Sequence, residues 1–461
     1  MLSSFRHSRG RPGPLDGARR ARSGALAGAV PLLIWWTGWF PGFLNAAAVQ
    51  QWVEIESGEF TNAAPGFHTA ALWLVSFGGR APALASLTQI VVFALLMAVV
   101  AGRLTRLAVP WQVAALLAAG AGWLPAVGST MSAPWPQTAH ALAALWAFAE
   151  LLAVARGGRE ALATVALPIR LGIALGLMWV TSHTGVVVAV AVGAVLLVLV
   201  RDDPVLVLPG AAATLGLVVL VQVALFPLAG IDRAVVPIGE AYAPEVAAVL
   251  RHDPEQFEAE DLALLKAVAP LEVWEASYRC EDGNALLADP EFDSDVIRND
   301  PGAYRALVIR MTLNAPETVF GHRACAAAFV FVPPHPTGQS FATMPREIPD
   351  NTIGLKQRPL IPAFRSLTEG MLERSSLPGN LWLGWRPGLV LLLALAGTAV
   401  AVGRQRLRLL LPALLLVSQV VLVAATVRTP AFSEVAAVYL LSLVSIPLWW
   451  PALQSRPLDL D

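Results

Sequence analysis

The sequence predicts an all-α polytopic membrane protein of about ten transmembrane helices, carrying a small, mainly helical and irregular extracytoplasmic domain. Three observations lead there. Hydrophobic residues make up 56% of the 461 positions and Asp, Glu, Lys and Arg only 14%, whereas a soluble globular chain carries about 25% charged residues. The apolar residues come in blocks of roughly 20, the length that crosses a hydrocarbon core, and mean hydropathy is +0.61. Arginines gather in alternate joints between the blocks. This composition excludes a cytosolic enzyme. A net charge of -1 names no partner, and the absence of a basic stripe interleaved with aromatics argues against nucleic acid.

Taken in order, the expected spans are 24–43, 81–102, 107–127, 135–155, 162–179, 184–200, 205–228, 387–403, 407–427 and 434–453. The first block lacks a small-residue cleavage site followed by a hydrophilic chain, so it is expected to be a retained span and not a removed signal peptide. Pro168 and Arg170 interrupt the fifth block, whose start is expected either near 162 or at Leu171 with the preceding stretch on the membrane surface. Short cytoplasmic loops hold the positive charge. Threading ten spans from a cytoplasmic N-terminus puts sixteen arginines inside, against only Arg80 and Arg428 in short outer connections. The expected organisation is a cytoplasmic Arg-rich tail over 1–23 and a membrane module of about seven helices over 24–228. An extracytoplasmic domain over 229–386, three further helices over 387–453 and a cytoplasmic tail over 454–461 complete it.

Region 229–386 holds 22 of the 33 acidic and 14 of the 32 basic residues, so it is net acidic and long enough for a small domain. Helical periodicity runs through 240–250 and 258–273, while Pro333, Pro334, Pro336, Pro345, Pro349, Pro359 and Pro362 mark an irregular second half. Both cysteines, Cys280 and Cys325, fall here. In an oxidising compartment an even pair is expected as a disulfide; the alternative is two buried thiols. Neither has the spacing of a zinc site.

The second polar island is the first outer loop, 45–79. Glu54, Glu56 and Glu59 crowd into six residues, and carboxylates this near a membrane are costly unless hydrated, paired or used. Glu54 and Glu56, two apart, would point in different directions in a helix and to the same side in an extended loop. After Pro65, the run 66–77 is too short to cross and has Phe67, Ala71 and Leu74 at helical spacing, which predicts a helix lying in the interface.

Pro41, Gly42, Gln51, Trp52, Gly58, Asn62, Pro65, His68 and Thr69 echo a first-loop pattern, P-G-x-x-x-x-D-S-x-x-Q-W followed by Gly and N-x-H-P-x-x-H-T. With its inside N-terminus, interfacial helix and late outer domain, the chain resembles the GT-C superfamily of polytopic membrane glycosyltransferases, in particular the bacterial mannosyl- and arabinosyltransferase-like, family-39-like members. The resemblance at sequence level spans about 41–73. It implies a GT-C-like fold in a bacterial plasma membrane, and an enzyme that moves a sugar from a polyprenyl-phosphate donor to a glycan, lipid or protein acceptor of the cell envelope. Glu54 or Glu56 would serve as the carboxylate that takes the acceptor proton. A divalent cation, Mg or Mn, is the only cofactor implied. The chain departs from the pattern at Ala47, where the family has Asp, and at Ala64, where it has His. Either a neighbouring Glu carries the proton chemistry, or the chain binds lipid-linked sugar, or assists a partner, without transfer. A transporter is ranked below both, because internal repeats and midplane charges are missing.

Gln51, Glu59, Asn62, His68, His183, His322 and Arg323 complete the expected donor site, since a leaving phosphate calls for cations or donors. Each has a plainer alternative. Glu59 belongs to a hydrated loop face, His68 sits at headgroup level, His183 is a turn residue in a tight joint, and Arg323 anchors an interfacial stretch over 314–336. No phosphate-cradling Gly-rich loop, serine elbow or H-E-x-x-H motif occurs.

Overall fold

A computed structural model describes residues 14–62, 65–231, 240, 242–331, 344–403, 407–427 and 431–453. Every regular element among them is helical. Expected features at Arg6, Arg9, Arg11, Ala64, Pro333, Pro334, Pro336, Arg404, Arg406, Arg428 and Arg456, and the tail 454–461, lie outside the described residues.

The chain opens with α1 (Pro14–Leu26) and α2 (Ala29–Gly38), where a single span over 24–43 and a polar tail were expected. Within the stretch expected as a tail, the chain is helical from Pro14 onward. Ala18, Ala21 and Ala25 recur at helical spacing and are buried, so this face packs closely, while Arg20 lies over the Trp111 ring and the Arg22 side chain lies against Gly102. A Cβ on Gly24 would come within 2.7 Å of the Ala115 Cβ. The first loop supplies α3 (Ala46–Ser57) and α4 (Gly66–Val75).

Among the described residues, four helices are long and apolar enough to cross a membrane: α5 (Ala83–Arg106), α8 (Pro136–Ala163), α11 (Pro204–Leu228) and α20 (Phe432–Leu453). Between α5 and α8, the expected straight span 107–127 is instead a broken pair, α6 (Trp111–Ala121) and α7 (Pro125–Met131), bent by 65°. Pro125 cannot donate to a continuing helix and starts a new one. Within α8, Gly158 at φ +55° breaks the helical path, a conformation open to glycine and few other residues. Shorter apolar helices follow the expected blocks: α9 (Ala166–Thr181) and α10 (Gly185–Leu199) here, α18 (Pro387–Gly403) and α19 (Leu410–Thr426) later. Helix α9 runs unbroken from Ala166, with Pro168 tolerated in its first turn.

Region 229–386 is not one separate unit. Helices α12 (Ala243–His252), α13 (Ala259–Val268), α14 (Leu271–Ser277) and α15 (Pro301–Asn314) share a core centred on Val249, Leu265, Trp274, Tyr304 and Leu307. Beyond it, α16 (Pro316–Phe331) and α17 (Pro362–Ser376) contribute Phe329, Val330 and Leu372 to the main core. Their apolar faces match helices of the bundle better than the small acidic cluster. The stretch before α17 lies alongside the end of α2, with Arg358 N donating to Phe40 O at 2.9 Å and Leu360 N to Thr37 O at 2.8 Å. Trp39 Nε1 donates to Thr368 Oγ1 at 2.8 Å. Cys280 and Cys325 form a disulfide that ties the small cluster to α16.

Contacts between connections sort the bundle into two ends. At the loop end, Phe43 N reaches Ser132 O at 3.0 Å and Gln137 Nε2 reaches Glu434 Oε1 at 3.2 Å. At the opposite, basic end, Arg103 and Arg170 meet Glu150, Arg159 meets Asp202, and the Arg408 guanidinium lies against Gly158.

Candidate functional site

The first-loop candidates are organised by α3 and α4. Asn45 caps α3, its Oδ1 accepting from Ala48 N at 2.8 Å, and Gly58 ends it at φ +76°, a C-terminal glycine in its usual left-handed role. Helical geometry then separates the two central carboxylates. Glu54 is buried and Glu56 exposed, as is Glu59. Gln51, one turn before Glu54, lies on the same buried face. Ala47 is exposed in the first turn of α3.

Across from this face, α4 buries His68, Thr69 and Leu72 while Trp73 and Leu74 stand 47% and 68% exposed. That division, polar contacts inward and large apolar groups outward, is what an interfacial helix requires. The Gln51 amide Nε2 lies 2.8 Å from Thr69 Oγ1 and 3.2 Å from His68 Nδ1. With the amide donating, His68 Nδ1 accepts and the ring carries its proton on Nε2. Burial pushes the His68 imidazole from 6.5 down to about 3, because a charged ring would be stripped of water without a carboxylate in return. Gln51 Oε1 is buried and unpartnered among the described residues.

Glu54 is held by the loop that follows. Thr61 donates to it twice, from Oγ1 at 2.8 Å and from its backbone N at 3.2 Å. Each such bond to a charged acceptor contributes about 1.5 to 3 kcal/mol. A carboxylate has about four lone-pair sites, so acceptor capacity remains. Asn62 Oδ1 accepts from Gly66 N at 3.0 Å and shapes the entry to α4.

The other candidates stand apart from this seam. His183 is exposed in the turn between α9 and α10. It follows the end of a helix whose Leu177 and Val180 pack with Phe60 and Phe67, so it shares the loop end with the seam. His322 is buried on α16, with Nδ1 3.2 Å from the Tyr278 hydroxyl, and burial lowers it to about 4. Arg323 pairs with Glu245, donates to Val427 O at 3.2 Å and lies over the Tyr242 ring. It joins the acidic cluster to the end of α19. Of the nine residues expected from sequence, the structure brings Gln51, Glu54 and His68 together with Thr61 and Thr69 in one compact seam and places His183, His322 and Arg323 elsewhere. Thr69 was marked only as part of the echoed first-loop pattern, and Thr61 carried no sequence signal beyond its place in the loop.

The seam offers one carboxylate, already bonded to Thr61, while a Mg or Mn site draws on several oxygens in fixed geometry. Glu56 and Glu59 are exposed. These residues do not fit a divalent cation, and no step below passes through one.

Fold and seam together define a protein that is all-helical over its described residues, with helices long and apolar enough to cross a membrane and a buried polar seam between α3 and α4 at the loop end. No protein-family model matches the chain, and no curated protein or solved structure does.

Proposed function

We propose that this protein is a GT-C-type glycosyltransferase of a bacterial plasma membrane, taking a sugar from a polyprenyl-phosphate donor at the loop end. The observation that carries the reading is the buried α3–α4 seam, where Glu54 sits one turn from Gln51, whose carbonyl has no partner among the described residues, beside a neutral His68. In this reading the shorter and broken apolar helices complete ten crossings. The N-terminus is cytoplasmic and 229–386 faces outward, in keeping with the arginines of the basic end.

The chemistry assigned to the seam is proton removal and orientation. As the acceptor oxygen bonds to the anomeric carbon and the bond to the donor phosphate breaks, the acceptor hydroxyl gives its proton to Glu54. A positioned carboxylate contributes typically 10²- to 10⁴-fold. Gln51 Oε1 accepts from a sugar hydroxyl, and Thr61 fixes the Glu54 rotamer.

One observation favours a second reading, binding without transfer. Both Glu54 oxygens already accept from Thr61, and the position where the resemblance places an Asp is Ala47. Proteoliposomes supplied with a panel of glycosyl phosphopolyprenols separate the two. Donor consumption that falls at least 100-fold in Glu54→Gln, with lipid binding retained, supports transfer. Binding without consumption by the wild type supports the second reading, and neither binding nor consumption sinks both.

A further inference from the structure

The basic end holds a cavity that the proposed transfer reaction does not use. It has a volume of about 380 Å³ and is lined by Arg103, Arg106, Arg156, Gly157, Glu160 and Arg170, among others. That size falls in the range of small-ligand pockets. Four guanidinium groups face one carboxylate, Glu160, which is itself exposed.

Behind the cavity, Glu150 lies on α8 in an otherwise apolar run, and its side chain is only 4% exposed. Arg103 Nη2 reaches it at 3.2 Å; Arg170 grips it through Nε at 3.0 Å and Nη2 at 3.3 Å. A buried carboxylate in an apolar helix is costly unless paired, and here it fixes two guanidinium groups at the cavity wall. Each guanidinium has five N–H donors in a rigid fork, so Arg103 and Arg170 keep donors for a ligand. Arg106 and Arg156 pair with no carboxylate among the described residues. Topology alone asks only that arginines lie at this end, and does not ask that they be steered into one cavity by a buried acid.

We propose that this cavity binds a phosphate monoester. A dianionic group with three terminal oxygens matches several convergent guanidinium forks, and basic pockets between helices on the cytoplasmic side are sites for phosphorylated head groups. Thr164 and Leu167 complete the wall, and the adjoining Val165 and Ile169 stand 60% and 36% exposed. The mouth thus opens beside exposed apolar surface, which suits a phosphate carried at the membrane as well as one in solution.

The test is native mass spectrometry of the full-length protein in mild detergent, titrated with phosphatidic acid, phosphatidylglycerol, phosphatidylcholine or inorganic phosphate. Phosphatidic acid should bind saturably, one per protein, at least ten-fold tighter than phosphatidylglycerol. Arg106→Gln/Arg156→Gln should weaken it at least ten-fold, and Glu54→Gln should leave it unchanged. Arg106→Lys/Arg156→Lys, which keeps charge and loses the forks, should restore part of the affinity and so exclude misfolding as the cause. Displacement of the lipid by millimolar inorganic phosphate assigns a soluble source, and resistance to it assigns a lipid-borne one; either supports the site. Equal binding of phosphatidic acid by wild type and Gln variant, no preference over phosphatidylglycerol, or no saturable binding of any phosphate probe overturns it.

Discussion

Glu54 and Glu56 sit two positions apart and meet opposite fates. Helix α3 turns the first inward, where Thr61 donates to it twice, and the second to solvent. Glu54→Gln keeps one acceptor oxygen for Thr61 and removes the proposed base, so turnover should drop 10²- to 10⁴-fold, with a stability loss of up to about 3 kcal/mol from the charge-assisted bond that is not kept. Glu56→Gln should stay within about two-fold, since an exposed loop carboxylate makes no buried contact. Parallel turnover and thermal-shift measurements check both. That the pair would diverge in a helix was legible from their spacing; which of them faces inward depends on α4, which begins 12 residues after Glu54, and was not. Thr61 illustrates the same limit, because a loop hydroxyl has no pattern of its own until the chain folds back.

His68 and His322 make a pH prediction at the same scale. Burial lowers them from 6.5 to about 3 and about 4 respectively, so the folded chain refuses protons that the unfolded chain takes up below 6.5. Stability is therefore unaffected by these groups above pH 6.5 and falls as pH drops towards 4, by up to about 1.4 kcal/mol per pH unit for each. His68→Gln should flatten that slope, and melting curves between pH 7 and 4.5 read it directly.

Among the elements, the helix pairings depend on small residues that let backbones touch. A Cβ on Gly172 of α9 would stand 2.1 Å from Gly210 O of α11, and one on Gly176 would meet Leu217 at 3.0 Å. This is the small-xxx-small spacing of close helix crossings in membranes. Helix α11 has only 11% of its apolar window buried, so the α9 contact is its main attachment. Gly172→Leu should force α11 away, at an overpacking cost of about 1 to 3 kcal/mol or more, and expose the 201–204 connection to protease, while Gly193→Leu, where a Cβ meets nothing, should do neither. The spacing Gly172, Gly176 was readable in the sequence; its partner at Gly210 was not. The apolar blocks themselves were legible because length and hydropathy are local. The bend at Pro125 and the packed α1 were not, since Pro125 sat at the edge of an apolar block and the arginines of α1 give it the composition of a hydrated tail. Glu150 was a legible signal left unread: one carboxylate inside an apolar block, with Arg103 and Arg170 in the joints that fold to meet it.

At the scale of the whole molecule, two ends with different chemistry face each other across the apolar core. The loop end carries the seam and the acidic cluster, tied by its disulfide to α16, and the basic end carries Glu150 and its arginines. Single cysteines introduced at the exposed positions Glu260 and Arg156 of a Cys280→Ser/Cys325→Ser background should label from opposite sides of intact cells or inside-out vesicles, Glu260→Cys from outside only. Labelling of both from one side would break the alternation of crossings on which the two-ended arrangement depends.

The central claim is that the seam at the loop end engages a lipid-linked sugar. Native mass spectrometry of the purified protein, with polyprenyl phosphate and its glycosides added in excess, tests it most directly. The account predicts one bound polyprenyl species per protein, retained in Glu54→Gln and weakened at least ten-fold in Gln51→Ala/His68→Ala, which removes the buried polar pair of the seam. Binding of ordinary phospholipid alone, with no polyprenyl species retained by the wild type, would contradict it.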